Sequence, residues 1–246
     1  MLTKTLFERL YHASSIVAIT GNGIVNESGL ATFNSPESTF EGHRLSDIAS
    51  LKTLHSDPEL LWRWCLQRRD EVNSSRPNLG HYALVDLEQR FSDFHLITLC
   101  TDGLHIDAGS EKLIEAHGNI FGVRCTACDF HAGVYEVTSS KPECPQCGEL
   151  LRPGIWLEGE DISSILREQI YDVAPQCEVL FVIGTSLHAE PAKSVPFLAK
   201  ANGSYVVEIN PEDTGISAKA NEKVSGRASD WLPKISIVFD QITGKS

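Results

Sequence analysis

Residues 15–23 read SIVAITGNG, and their reading decides the fold. Ile16 to Ile19 form an unbroken apolar run, mostly β-branched, with no polar residue alternating through it. Such a run suits a strand buried on both faces, as in a parallel sheet. Gly21-Asn22-Gly23 follows at once, a turn tight enough to bring backbone N–H groups close to a pyrophosphate. The next glycine arrives only at Gly29, so the turn departs from the usual G-x-G-x-x-G fingerprint and, alone, equally suits an ordinary tight turn.

Outward from this stretch, four more runs read as strands: Phe94–Leu99 (FHLITL), Val179–Ile183 (VLFVI), Tyr205–Ile209 (YVVEI) and Ile235–Phe239 (ISIVF). Helical spacing occupies Pro58–Val72 and Gly80–Phe91, where Tyr82, Leu84, Val85 and Leu87 are placed to face a core. The alternation predicts an α/β fold, a Rossmann-like doubly wound parallel sheet. Residues 35–80 and 121–152 break the alternation, the first with helical patches and the second with two close pairs of cysteines, and are expected to build a small second lobe. Residues 1–34, 81–120 and 153–246 then form the Rossmann-like domain, and the cleft between the lobes is the expected ligand site.

The chain has 246 residues, 41% of them hydrophobic, which is enough for one sizeable core and an appended lobe. Its 21 basic and 33 acidic residues give a net charge of −12, which repels nucleic acid. The N-terminal segment is interrupted by charges, and no run approaches the roughly 18 apolar residues of a membrane span, so no membrane is expected.

Cys125-x-x-Cys128 and Cys144-x-x-Cys147 are separated by fifteen residues, the spacing of a four-thiolate zinc site. With all four positions filled by sulfur the ion would be structural and closed to water. His131, between the pairs, reads as a surface residue. Cys65, Cys100 and Cys177 are left over as thiols, and this cysteine usage suits the reducing cytoplasm.

Several motifs occur together: GNGIVNESGLATF at 21–33, TDGLH at 101–105, EAHGN at 115–119, the paired cysteines, LRPG at 151–154, GTSL at 184–187 and INP at 209–211. In this order the chain resembles the sirtuin (Sir2) family of NAD-dependent protein deacylases, over roughly residues 10–235. WRW at 62–64, RRD at 68–70 and PNLGHYAL at 77–84 are similar to bacterial members. The resemblance implies NAD on the Rossmann-like domain, a structural zinc ion and an acyl-lysine protein or peptide added as a strand in the cleft. It implies His117 as the general base on a ribose hydroxyl and Asp102 on the nicotinamide carboxamide. Gly21, Gly23, Gly184, Thr185, Ser186 and Asn210 are implied as further cofactor contacts. On its own, Asp102 before Gly103 equally suits a turn cap.

The chain also departs from the family pattern. Asn34 stands in place of an arginine, and Leu99 and Cys100 in place of a Gln and an Asn that contact the nicotinamide ribose. Asn22, Val25 and Ala31 also differ from the family turn. Glu158 in WLEGE replaces an apolar wall of the acyl-lysine tunnel. Arg68 and Cys65 retain half of a pair that reads acidic acyl groups, although Arg68 equally suits a solvated helix face. Two readings therefore stand beside a deacylase: a catalytically silent NAD- or ADP-ribose-binding module, and an NAD glycohydrolase or ADP-ribosyltransferase.

Overall fold

The computed structural model describes residues 3–31, 38–187, 190 and 192–244. In chain order the strands are β1 (Ser15–Thr20), β2 (Thr39–Phe40), β3 (His43–Arg44), β4 (Asp93–Thr98), β5 (Leu113–Glu115) and β6 (Gly118–Cys125), followed by β7 (His131–Ala132), β8 (Leu151–Ile155), β9 (Val179–Ile183), β10 (Tyr205–Ile209) and β11 (Glu222–Val224). The helices are α1 (Lys4–His12), α2 (Asn22–Asn26), α3 (Leu45–Ile48), α4 (Leu51–Ser56) and α5 (Pro58–Asn73), then α6 (Leu79–Arg90), α7 (Leu104–Ala108), α8 (Ser164–Val173), α9 (Val195–Ala201) and α10 (Ala228–Thr243).

Six parallel strands form one sheet in the order β11-β10-β9-β1-β4-β5. The winding leaves β1 in both directions, so the topological switch lies between β1 and β9, where doubly wound sheets hold ligands at the strands' carboxyl ends. Alternate residues of each strand supply opposite cores. Ile16, Ala18, Phe94, Leu96 and Phe181 pack with helices α1, α6 and α10, while Val17, Ile19, Ile97, Leu180 and Val182 pack with α8 and α9. Both faces are covered, which is why these runs carry no polar alternation.

The run at 235–239 is not a strand. It lies within α10, where Leu232, Ile235 and Phe239 recur at helical spacing on the buried side and Ile237 is exposed. A short apolar run does not by itself separate a buried strand from a buried helix, and here the longer 3.6-residue pattern decides. On α6, Ala83, Leu84 and Leu87 are buried, but Tyr82 points outward, contrary to the expectation for that residue.

A third core gathers residues from both interrupting stretches, among them Ile48, Leu61, Trp62, Val123 and Leu151, and takes in Leu157 from just beyond the second. Helix α5 is tied to the antiparallel β7-β6-β8 sheet by polar contacts as well. Trp62 donates its Nε1–H to the Leu151 carbonyl at 2.7 Å. The Arg69 guanidinium, buried, donates to the carbonyls of Ile120, Tyr135 and Gly122. Those three acceptors satisfy a cation that burial would otherwise make costly. Arg68 is likewise buried, not solvated: it pairs with Glu71 and donates to the Ala31 carbonyl at 2.8 Å. Cys65 is fully buried in the third core. Among the described residues no helix is long and apolar enough to cross a membrane.

Candidate functional site

A cavity of about 880 Å³ opens at the switch point, between the carboxyl ends of β1, β9 and β10 and the segments Ser46–Ala49 and Ile155–Glu158. Its wall brings together Gly21, Gly23, Gly184, Thr185, Ser186, Asn210 and His117 from four separate parts of the chain.

The glycines act differently from the phosphate-facing donors that the sequence suggests. Gly21 N–H donates to the Ile183 carbonyl at 3.0 Å and Gly23 N–H to the Gly184 carbonyl at 2.8 Å. Both amides therefore fasten the β1 turn to the end of β9. What the glycines offer the cavity is closeness: a Cβ on Gly23 would stand 2.6 Å from Gly184 Cα, and one on Gly21 2.5 Å from Thr185 Cβ. Gly184 itself has φ +56°. Across the turn, the Asn210 side chain donates to the Thr185 carbonyl at 3.2 Å and accepts from Glu212 N–H at 3.3 Å, joining the ends of β9 and β10.

His117 sits half-buried between β5 and β6, its ring stacked on Trp156 with centroids 5.5 Å apart. Its Nδ1 lies 3.0 Å from the Leu99 carbonyl oxygen. That oxygen only accepts, so Nδ1 carries the hydrogen and neutral His117 keeps its lone pair on Nε2. Burial pushes its pKa below the ordinary 6.5, against the raising effect of the Leu99 hydrogen bond, which favours the neutral form.

Asp102 does not line the cavity. It is buried, and its Oδ1 accepts the Leu104 N–H at 2.8 Å, capping the turn into α7. Burial pushes its pKa up. Leu99 does reach the wall, whereas Cys100 is buried in the core beneath it and its amide donates to Thr98 Oγ1 at 3.1 Å. Asn34 lies outside the described residues. Glu158 is exposed on the wall, and its own main chain is paired with Ala49 and Leu51 on either side of Ser50. Sequence reasoning missed Arg227, the one arginine or lysine on the wall among the described residues, and did not single out Trp156 as a partner of His117. Neither carries a local signal, because each reaches the cleft only through the tertiary fold.

Away from the cleft, the Sγ atoms of Cys125, Cys128, Cys144 and Cys147 lie within 4.8 Å of one another. The 125–147 and 128–144 pairs are 3.5 and 3.7 Å apart. Four sulfurs about 2.3 Å from a central zinc would stand about 3.8 Å from each other, so the set fits a tetrahedral ion. Ala127 N–H and Cys128 N–H both point at Cys125 Sγ and draw that thiol down to about 6, toward the thiolate that a metal requires. None of the four cysteines lines the cavity, and His131 is exposed beside them.

Residues 21–191 match the model of the Sir2 family. The chain is 39% identical to NAD-dependent protein deacylase 1 of Caldanaerobacter subterraneus over 220 residues, covering 89% of this chain and 91% of the relative. It superimposes on a Sir2 homolog–NAD complex with a TM-score of 0.91 at 31% identity, covering 98% of this chain and 95% of the other. A Sir2–p53 peptide–NAD+ structure matches over the full length of both chains with a TM-score of 0.86 at 27% identity. The switch-point cleft, the paired-cysteine lobe and these likenesses agree: the chain belongs to the Sir2 family.

Proposed function

We propose that the chain is an NAD-dependent protein-lysine deacylase that binds NAD in the switch-point cleft and a structural zinc ion at the four cysteines. The observation that carries this reading is the hydrogen bond from His117 Nδ1–H to the Leu99 carbonyl. It fixes the tautomer, so that the neutral imidazole favoured by burial keeps its lone pair on Nε2, on the wall of a cavity that also holds Gly184, Thr185, Ser186 and Asn210.

NAD, when bound, supplies an electrophilic ribose carbon with nicotinamide as its leaving group. The Gly184–Ser186 turn and Asn210 hold the adenosine half, with Arg227 offering cationic donors on the same wall. Asp102 is assigned to the nicotinamide end, where its main role in the free protein is to cap α7. His117 Nε2 would accept a proton from a ribose hydroxyl of bound NAD, with Trp156 stacked on the ring and Leu99 O holding its orientation. Because Leu99 supports His117 through its main chain, the loss of a glutamine side chain there leaves the base in place. This favours an active enzyme over a silent binding module.

The substrate is an acyl-lysine protein or peptide, and the charge of −12 suits basic, lysine-bearing segments and no nucleic acid. Seven free cysteines, none paired as a disulfide, support a cytoplasmic location. With Cys65 in the core and Arg68 bonded to Glu71 and Ala31, neutral acyl groups are favoured over acidic ones.

The test is nicotinamide release from NAD by zinc-loaded protein, with and without acetyl-, succinyl- and long-chain acyl-lysine peptides, beside a His117→Ala control. Release that needs a peptide and vanishes in the control is the expected result. Release without peptide would point to a glycohydrolase, and NAD binding without turnover to a silent module.

A further inference from the structure

One buried carboxylate lies outside every role assigned above. Glu208 is fully buried in β10, flanked by Val182 of β9 and Lys223 of β11. A carboxylate so placed needs donors for both oxygens. It finds them in the loop that follows β10: Thr214 Oγ–H donates to Oε1 at 2.5 Å and Ser217 Oγ–H to Oε2 at 2.6 Å. Each hydroxyl also accepts a main-chain hydrogen of the same loop, Ile216 N–H on Thr214 Oγ1 at 3.3 Å and Thr214 N–H on Ser217 Oγ at 2.7 Å. The carboxylate thus fixes the loop's backbone through two hydroxyls that have no other orientation satisfying all four bonds. This loop forms the Asn210 end of the cleft, where Pro211, Glu212, Asp213 and Thr214 line the wall.

We infer that Glu208 is a positioning residue for the adenosine half of the nucleotide: ionised, it holds the 211–217 loop in the shape that completes that end of the cleft. The inference rests on the reading of the cleft as an NAD site. Only an ionised carboxylate accepts on both oxygens; an amide presents a donor to one of the two hydroxyls and breaks the circuit. Losing one charge-assisted bond corresponds to about a tenfold change in an equilibrium constant.

The experiment is calorimetric binding of ADP-ribose to the zinc-loaded full chain, its Glu208→Gln variant and its Ser217→Ala variant, with steady-state kinetics on the same samples. Both variants should bind ADP-ribose about tenfold more weakly and raise the KM for NAD in step. The KM for peptide, inhibition by free nicotinamide and kcat at saturating NAD should stay within twofold. Ser217→Ala removes one hydroxyl that lies off the cavity wall while leaving the carboxylate, so it reports on the loop even if Glu208→Gln folds poorly. ADP-ribose affinity within twofold of the parent in both variants would overturn the inference, as would equal losses toward nicotinamide and peptide. If the parent itself fails to bind ADP-ribose, the nucleotide reading fails instead, which is a separable result.

Discussion

Gly23→Ala probes the close approach on which the cleft depends. The added Cβ would lie 2.6 Å from Gly184 Cα and 2.8 Å from the Gly184 carbonyl oxygen. Ordinary contact begins at 3.4 Å, so one main chain must retreat by about 0.8 Å. Neither side yields readily. Gly23 N–H is bonded to the Gly184 carbonyl at 2.8 Å, and Gly184 N–H to the Ile209 carbonyl at 2.9 Å, which couples the turn to β10. Overpacking of this kind costs about 1–3 kcal/mol, and weakening the Gly23 hydrogen bond about 1 more. In a chain of this size each kcal/mol lowers the melting temperature by about 2–4 °C, so a fall of about 4–16 °C is expected. Gly133→Ala is the control, since a Cβ there meets nothing within 4 Å and its melting temperature should hardly move. Thermal melting with and without NAD reads both effects, because a retreat of the turn reshapes the wall and should shrink the NAD-induced rise. A Gly23→Ala protein that melts within about 1 °C of its parent and keeps the full NAD-induced rise would refute the reasoning.

Cys144→Ser should lower zinc from one ion per chain to well below one and reduce the melting temperature by about 10 °C, since Cys144 also belongs to the third core; metal analysis and calorimetry check it. Burial depresses the pKa of His81 to about 4 and holds that of His105 well below 6.5, so the unfolded chain binds more protons than the folded one as pH falls from 6.5. Stability is therefore fully present above pH 6.5 and lost on acidification, by about 2 kcal/mol at pH 5 for His81 with a loss of the same sign for His105, as urea titrations at the two pH values will show. The rate should lose its acid limb only below pH 6.5, where His117 protonates, and a pH profile of kcat/KM that instead falls above neutrality removes His117 from the role of base. Leu99→Gln, on the wall, should raise kcat/KM about tenfold with little change in stability, whereas Cys100→Asn should destabilise by about 1–3 kcal/mol because its amide would enter the core.

The parallel sheet was legible because burial on both faces leaves a largely apolar run; SIVAIT, VLFVI and YVVEI, the last interrupted only by Glu208, coincide with β1, β9 and β10. The edge strands β5 and β11 were not, since each has three residues and includes a glutamate, Glu115 or Glu222. The run at 235–239 misled because strand and buried helix share its composition, and only Leu232 upstream restores the helical period. The zinc lobe was legible from spacing alone, because two sulfurs per turn is a local property. The cleft was legible in part. Gly184, Thr185, Ser186, Asn210 and His117 line it as motif positions, while Arg227 arrives there by tertiary packing and Asp102 is held behind the wall by a turn cap that short-range chemistry already permits.

Counting replaced side chains overstates what this chain has lost on the nicotinamide side. Of the two adjacent substitutions, Cys100 does not touch the cavity, so its thiol takes nothing from a ligand directly. Leu99 does touch it, but the contact that orients the base comes from its carbonyl, which every residue type supplies. A Gln-to-Leu change therefore removes a polar side chain from the wall and leaves the imidazole tautomer untouched. An unmet ribose hydroxyl beside Leu99 would cost about 1–3 kcal/mol, about one to two orders of magnitude in rate, so slowed and not abolished turnover is the expected outcome. Main-chain atoms hold the tautomer of His117 and the β1 turn, and the Asn210 side chain ties the far end of the cleft to Thr185, so the Leu99 side chain has no part in any of the three.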